Sequence, residues 1–211
     1  MPKFNREFLI VNALTFGRVP FVTLFLALSI VHVYFRESLW IAWLAVFSLV
    51  LGSITDLFDG MLARKWKVES SFGAMADPLM DKFFYAVVFP VFTWLLPIFH
   101  PENRFHAVLM MLITVSYMVR DLWVTFLRAV GSEYHQDCRA NWMGKFRTAY
   151  SFPFACVAYA HIAIDSVTFP VWLVYLLEGV ALVLTFGTMW TYTRAYAPSL
   201  RKAMRLELND N

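Results

Sequence analysis

Six apolar runs, each close to the length that crosses a hydrocarbon layer, follow one another through a chain of 211 residues. A spanning helix needs about 20 mostly apolar residues, and every backbone polar group in it must be bonded internally because no water is present. The runs are Val19–Phe35, Leu39–Leu62, Ala74–Phe99, Phe105–Leu127, Thr148–Ile164 and Pro170–Tyr192. Short connections follow the first, third and fifth: Arg36 to Ser38, His100 to Arg104, and Asp165 to Phe169. Only 16% of the residues are charged, and the runs leave no room for a sizeable domain outside the membrane. The expectation is an all-α integral membrane protein, a single domain over residues 1–211 with six transmembrane helices.

Ahead of the first run, Phe4 to Arg18 mixes charges with Phe8, Leu9, Ile10, Leu14 and Phe16. That pattern predicts an interfacial amphipathic helix within residues 1–18. Residues 194–211 read as a tail. Met1 to Glu7 is polar, and the apolar run after it lacks a small-residue cleavage site, so no cleaved leader is expected. Cys138 falls in a charged loop and Cys156 in an apolar run, which argues against a disulfide.

Basic residues orient such a chain. Lys3, Arg6, Arg18, Arg64, Lys65, Lys67, Arg128, Arg139, Lys145, Arg147, Arg194, Arg201, Lys202 and Arg205 fall on one side, and Arg36 and Arg104 on the other. The rich side, with both termini and the two long loops, is expected to face the cytoplasm across a cell (inner) membrane. This is a positive-inside distribution, and no nucleic-acid partner is expected.

The stretch TDLFDGMLARKWKVESSFGAMADPLMDK, residues 55–82, carries four aspartates at the cytoplasmic ends of the second and third runs. Asp56 and Asp59 are three apart and Asp77 and Asp81 four apart, so each pair shares a helix face. A short loop makes the two helices antiparallel neighbours and lets the carboxylates converge. Unpaired, they would repel and be driven to protonate. Divalent cations resolve the conflict, two of them using all four groups, and hard oxygen donors favour Mg²⁺, Mn²⁺ or Ca²⁺ over zinc. The plainer readings are helix caps, pairing with Arg64, Lys65 or Lys82, or a proton path. Gly60, Ala63 and Gly73 would let a ligand or a neighbouring backbone approach closely, or serve helix packing. Arg64 suits phosphate.

Written as Asp56-x2-Asp59-Gly60-x2-Ala63-Arg64-x8-Gly73-x3-Asp77-x3-Asp81, the string resembles the signature of the CDP-alcohol phosphotransferase family at all eight positions. The resemblance implies attack by an alcohol hydroxyl on a CDP-linked lipid, usually CDP-diacylglycerol, with release of CMP. It implies that Asp56, Asp59 and Asp77 hold two divalent cations, Mg²⁺ or Mn²⁺. Asp81 would be a metal ligand, the catalytic general base, or both. Asp56, Gly60, Ala63, Arg64 and Gly73 would form the CDP site. Homodimers are usual among such relatives.

The acceptor has to be sought elsewhere in the chain. Arg120 stands inside an apolar run, where an unpaired guanidinium is costly. Asp121 is its neighbour in sequence but points elsewhere on a helix, which makes it a poor partner. Arg120 and Arg128 are two turns apart on one face, and with Lys145 and Arg147 they could bind a phosphorylated acceptor. The alternative is ordinary loop charge. Arg120-Asp121-Leu122, Leu127-Arg128, Gly144-Lys145-Phe146-Arg147-Thr148 and Asn12-Ala13-Leu14-Thr15-Phe16-Gly17-Arg18 resemble segments of phosphatidylglycerophosphate synthases, whose acceptor is glycerol 3-phosphate. Bacterial members usually carry Arg-Glu at the first and Lys-x-Lys-Thr at the third, so the acceptor stays open. The rivals are an inositol phosphate, or phosphatidylglycerol to form cardiolipin. A cation or proton transporter using the same aspartates is the alternative from another class.

His100, His106, His135 and His161 are scattered without metal-ligand spacing, and His32 lies in the first run. Trp40, Trp43, Trp94, Trp123 and Trp142 read as interfacial anchors and packing. Glu178, in the last run, has no partner visible in the sequence beyond a possible polar-core or inter-subunit contact.

Overall fold

The computed structural model describes residues 6–68, 70–135, 142–164, 166, 167 and 169–209, and Lys3, Cys138 and Arg139 lie outside these. Among the described residues the chain forms six helices: α1 (Arg6–Tyr34), α2 (Leu39–Trp66), α3 (Ser71–Phe99), α4 (Arg104–Glu133), α5 (Trp142–Ala163) and α6 (Val171–Asn209). Five of them, all but α5, are long and apolar enough to cross a membrane. At 1.5 Å per residue α5 is about 33 Å long, so length is not what it lacks. Lys145, Arg147, Ser151, Pro153 and His161 dilute its apolar content. Half of its residues, Arg147 and Ser151 among them, are buried in the molecule, where α5 packs on α2, α3 and α6, away from lipid.

The expected interfacial helix at residues 1–18 is not a separate element. From Arg6 onward that segment is the first part of α1, which runs unbroken through Pro20 to Tyr34. The reason is visible in what α1 buries: Val11, Thr15, Arg18, Val22, Phe25, Ser29 and His32 alternate at spacings of four and three. A single stripe of that period faces the interior of the bundle over the whole helix, so residues before and after Arg18 share one buried face. At the other end, the expected tail continues α6 as helix to Asn209.

α1 packs on α2 and α3, α4 on α3 and α6, and α5 on α2, α3 and α6. The core is rich in rings: Phe89 meets Tyr117 at 4.4 Å between centroids, Phe84 meets Phe152 at 4.6 Å, and Phe25 meets Tyr159 at 5.0 Å edge-on. Thr93 and Thr114 hydroxyls join α3 to α4 at 2.8 Å. The outside is apolar as well. Trp40, Phe47, Leu112, Leu122, Val183 and Trp190 are all exposed, which a water-facing surface would not tolerate at this density and a lipid-facing one requires. The molecule is a multi-pass membrane protein.

Candidate functional site

The α2–α3 turn builds the aspartate site. Lys67 ends α2 in the left-handed region at φ 54°, and its N–H donates to the carbonyl groups of Ala63 and Arg64. Three residues later Ser70 caps α3, its Oγ accepting from the Gly73 N–H at 3.0 Å. The tight reversal brings the four aspartates to one end of the bundle, but the expected direct packing of α2 on α3 is not found among the described residues: α1 and α5 each pack on both helices and link them instead.

At the centre stands Arg18 of α1. Its Nη1 donates to Asp81 Oδ1 at 2.9 Å, its Nη2 to Asp56 Oδ1, and Nη2 lies 4.0 Å from Asp59 Oδ2. Arg18 is fully buried, with the Phe152 ring 5.8 Å from its guanidinium carbon. A charge there is tolerable only because carboxylates surround it. Sequence reasoning counted Arg18 among the orienting basic residues and missed it as part of the site. The signal was there in the Asn12–Arg18 segment.

Two cavities open on the aspartates. The smaller, about 170 Å³, is lined by Asn12, Thr15, Asp59, Gly60, Ala63, Arg64, Gly73 and Asp77 among others, so four residues of the expected CDP site line one hollow. Gly60 faces it beneath the Arg64 guanidinium, whose Nη1 would lie 3.6 Å from a Cβ added there. The larger, about 1270 Å³, runs from Asp56, Asp77 and Asp81 to Arg120, Arg128, Lys145 and Arg147. Arg64 and Asp77 line both.

The basic residues of the later helices come together as their spacing suggests. Arg120 and Arg128 both stack on the ring of Tyr192, at 5.4 and 5.5 Å, and Arg128 Nη2 donates to the Tyr192 hydroxyl at 3.1 Å. Asp121, dismissed from the sequence as a partner of Arg120, is in fact its partner: Arg120 Nη1 donates to Asp121 Oδ1 at 2.8 Å. Adjacent Cβ atoms diverge around a helix, yet an arginine is long enough to curl its guanidinium back across the gap. The same oxygen accepts from Arg147 Nη1 at 3.1 Å, which holds the carboxylate in reach of both. Lys145 is exposed at the cavity's edge.

At the far end of the bundle, residues scattered in sequence gather. His106 Nε2 and Glu178 Oε1 are 2.5 Å apart, and the His161 ring stacks on His100 at 6.1 Å and tilts against His106 at 6.0 Å. Glu178 therefore has its partner within the chain, on α4.

Among the described residues no three acidic, histidine or cysteine side chains surround a common point closely enough to hold a metal ion, and the positive charge among the aspartates is that of Arg18. The donor set itself suits a hard divalent cation: four carboxylates from α2 and α3 at one end of the bundle, one of them with a buried oxygen, Asp59 Oδ2, that makes no hydrogen bond.

The family model for CDP-alcohol phosphatidyltransferase matches residues 8–191. The chain belongs to the CDP-alcohol phosphatidyltransferase family. Among its relatives, the CDP-diacylglycerol–glycerol-3-phosphate 3-phosphatidyltransferase of Cereibacter sphaeroides is 42% identical over 65 residues, 31% of this chain and 29% of that protein. The proteins of the same name from Pectobacterium atrosepticum and Escherichia coli (strain K12) are 28% and 27% identical over 144 residues, which cover 67% of this chain and 71% of each.

Proposed function

We propose that the protein transfers the phosphatidyl group of CDP-diacylglycerol to glycerol 3-phosphate, giving phosphatidylglycerophosphate and CMP in phospholipid biosynthesis. The observation that carries this reading is the large cavity that joins Asp56, Asp77 and Asp81 to Arg120, Arg128, Lys145 and Arg147. One end gathers carboxylates beside the family's signature glycines, and the other gathers cations suited to a phosphorylated acceptor. The names of the relatives support the same reaction.

In this reading Gly60, Ala63, Arg64 and Gly73 receive the CDP moiety in the smaller cavity, with Arg64 against the diphosphate, and Asp56 reaches it from the adjoining larger cavity. Asp56, Asp59, Asp77 and Asp81 would hold two divalent cations, Mg²⁺ or Mn²⁺, which when bound neutralise diphosphate charge and ease departure of CMP. Arg120, Arg128, Lys145 and Arg147 hold the phosphate of the acceptor and orient its hydroxyl. Asp81, which lines the large cavity, takes the proton of that hydroxyl. The acceptor oxygen then bonds to the phosphorus that carries diacylglycerol, and the bond from that phosphorus to CMP breaks. The charge distribution supports a site facing the cytoplasm, where the water-soluble acceptor is found, at the surface that holds the lipid donor.

A panel of acceptors tests it: glycerol 3-phosphate, inositol 1-phosphate, inositol, serine and phosphatidylglycerol, each with CDP-diacylglycerol and Mg²⁺ or Mn²⁺, the lipid product identified by mass. Phosphatidylglycerophosphate should be the main product. A different product lipid would reassign the acceptor. Ion flux into proteoliposomes without any need for CDP-lipid would reject the enzyme.

A further inference from the structure

We propose that Asp121 is a positioning residue of the acceptor pocket, holding Arg120 and Arg147 so that one free edge of Arg147 is presented to a phosphomonoester. This rests on the reading of the large cavity as the acceptor site.

Asp121 Oδ1 accepts from Arg120 Nη1 at 2.8 Å and from Arg147 Nη1 at 3.1 Å, so two guanidinium groups from different helices converge on one atom. Two such cations repel at this separation, and the repulsion grows when water is excluded. All three residues are nine-tenths or more buried. The carboxylate between them is what makes the approach favourable. Arg120 is fixed further by Thr188 of α6, whose Oγ1 accepts from Arg120 Nε at 3.0 Å.

Arg147 is fixed by its flat face. Its guanidinium carbon lies 4.1 Å from the Tyr117 ring centroid and 4.9 Å from that of Tyr85. With Nη1 committed to Asp121, the remaining donors are Nε and Nη2. Both are buried, and neither has a hydrogen-bond partner among the described residues. Nε and Nη2 form one edge of the planar group, and that edge matches two oxygens of a phosphate. Arg147 is 1% exposed and lines the cavity, so its unpaired donors belong to a site and not to bulk water. An acceptor without a phosphate would leave the edge unsatisfied, which is how a buried polar site rejects an analogue lacking the matching group.

The test measures steady-state kinetics of the full-length protein in mixed micelles, with glycerol 3-phosphate and with glycerol as acceptors. Asp121→Asn should raise the KM for glycerol 3-phosphate about tenfold or more, since it keeps an acceptor oxygen but removes the negative charge that holds the two guanidinium groups together. The KM for CDP-diacylglycerol should stay within about twofold, and Asp121→Glu should recover most of the loss. An unchanged acceptor KM, or an equal rise for both substrates, overturns the assignment while leaving the proposed reaction intact. A wild-type protein that prefers glycerol over glycerol 3-phosphate overturns the acceptor reading and this inference with it. Should Asp121→Asn fail to fold, Arg147→Lys decides: it keeps the charge toward Asp121 but lacks the Nε–Nη2 edge. It must show the same selective rise, and an unchanged acceptor KM refutes the proposal.

Discussion

Arg18 Nη1 and Asp81 Oδ1 are joined by a 2.9 Å hydrogen bond that ties the first helix to the third across 63 residues of sequence. The same guanidinium holds Asp56 of the second helix, so one side chain gathers three helices at the end of the bundle where the family signature lies. Breaking a buried ion pair by removing one partner costs about 3–5 kcal/mol, because the charge left behind has nothing to offset it. Arg18→Met should therefore lower the thermal midpoint of the protein in detergent with chelator present. Added Mg²⁺ or Mn²⁺ should restore part of the loss in the variant, because a cation can take the place of the missing charge. A midpoint equal to wild type in chelator would show that Arg18 is not what balances the aspartates.

Asp81→Asn keeps the size of the side chain and an oxygen for Arg18 but removes a base. A general base contributes about 10²–10⁴ in rate. CMP release from CDP-diacylglycerol should fall by at least the lower figure, with the protein still folded. Wild-type turnover in this variant would remove Asp81 from the chemistry.

Arg128→Ala tests the other end of the cavity. Arg128 reaches Tyr192 beside Arg120, half-buried, and contributes charge without closing the Asp121 clamp. We expect the KM for glycerol 3-phosphate to rise about tenfold while that for CDP-diacylglycerol moves little, a loss of about 1.4 kcal/mol of acceptor binding. Equal effects on the two substrates would place Arg128 outside an acceptor pocket.

What was legible in the sequence was whatever local spacing decides. Asp56, Asp59, Asp77 and Asp81 could be placed together because helix periodicity and a short loop determine their faces, and Arg120 and Arg128 because eight residues return to the same side of a helix. Helix number and membrane character followed from the apolar runs. What was not legible depends on tertiary contact. Arg18 lies 38 residues from Asp56, and helix periodicity cannot join the two; only its place in the Asn12–Arg18 segment sets it apart from an orienting basic residue. Asp121 was judged by the direction of its Cβ, whereas the length of Arg120 and the approach of Arg147 decide its role. α5 tolerates Arg147 because neighbouring helices shield it, which no single run of residues reveals. The continuity of α1 is hidden for a similar reason: its buried stripe depends on the helices it packs against, α2 and α3.

The pair His106–Glu178 makes a prediction about stability alone. Glu178 is fully buried and bonded to His106 at 2.5 Å, at the end of the bundle away from the aspartates. Glu178→Ala leaves a buried imidazole without that partner, at a cost of about 1–3 kcal/mol. Glu178→Gln retains an acceptor and should lose less. Both variants, once folded, should keep their KM for acceptor and donor. A selective change in either KM would show that this end of the molecule communicates with the site.

Gly131 of α4 lies where α6 comes closest. A Cβ built there would stand 2.2 and 2.6 Å from two ring carbons of Tyr196, whose side chain is itself buried at 2% exposure. Those atoms belong to a rigid ring and not to the tip of a flexible chain, so the ring or the helix must move. Over-packing of this kind costs about 1–3 kcal/mol. Gly131→Ala should lower the thermal midpoint, and the double variant Gly131→Ala with Tyr196→Leu, which removes the ring carbons, should recover part of it. Tyr196 lies one turn beyond Tyr192, and the two rings stack at 6.3 Å, so the displacement should propagate to the residue that supports Arg120 and Arg128. A modest rise in the KM for glycerol 3-phosphate should accompany the lost stability in Gly131→Ala. Destabilisation with an unchanged acceptor KM would show that Tyr192 holds its place independently of Tyr196.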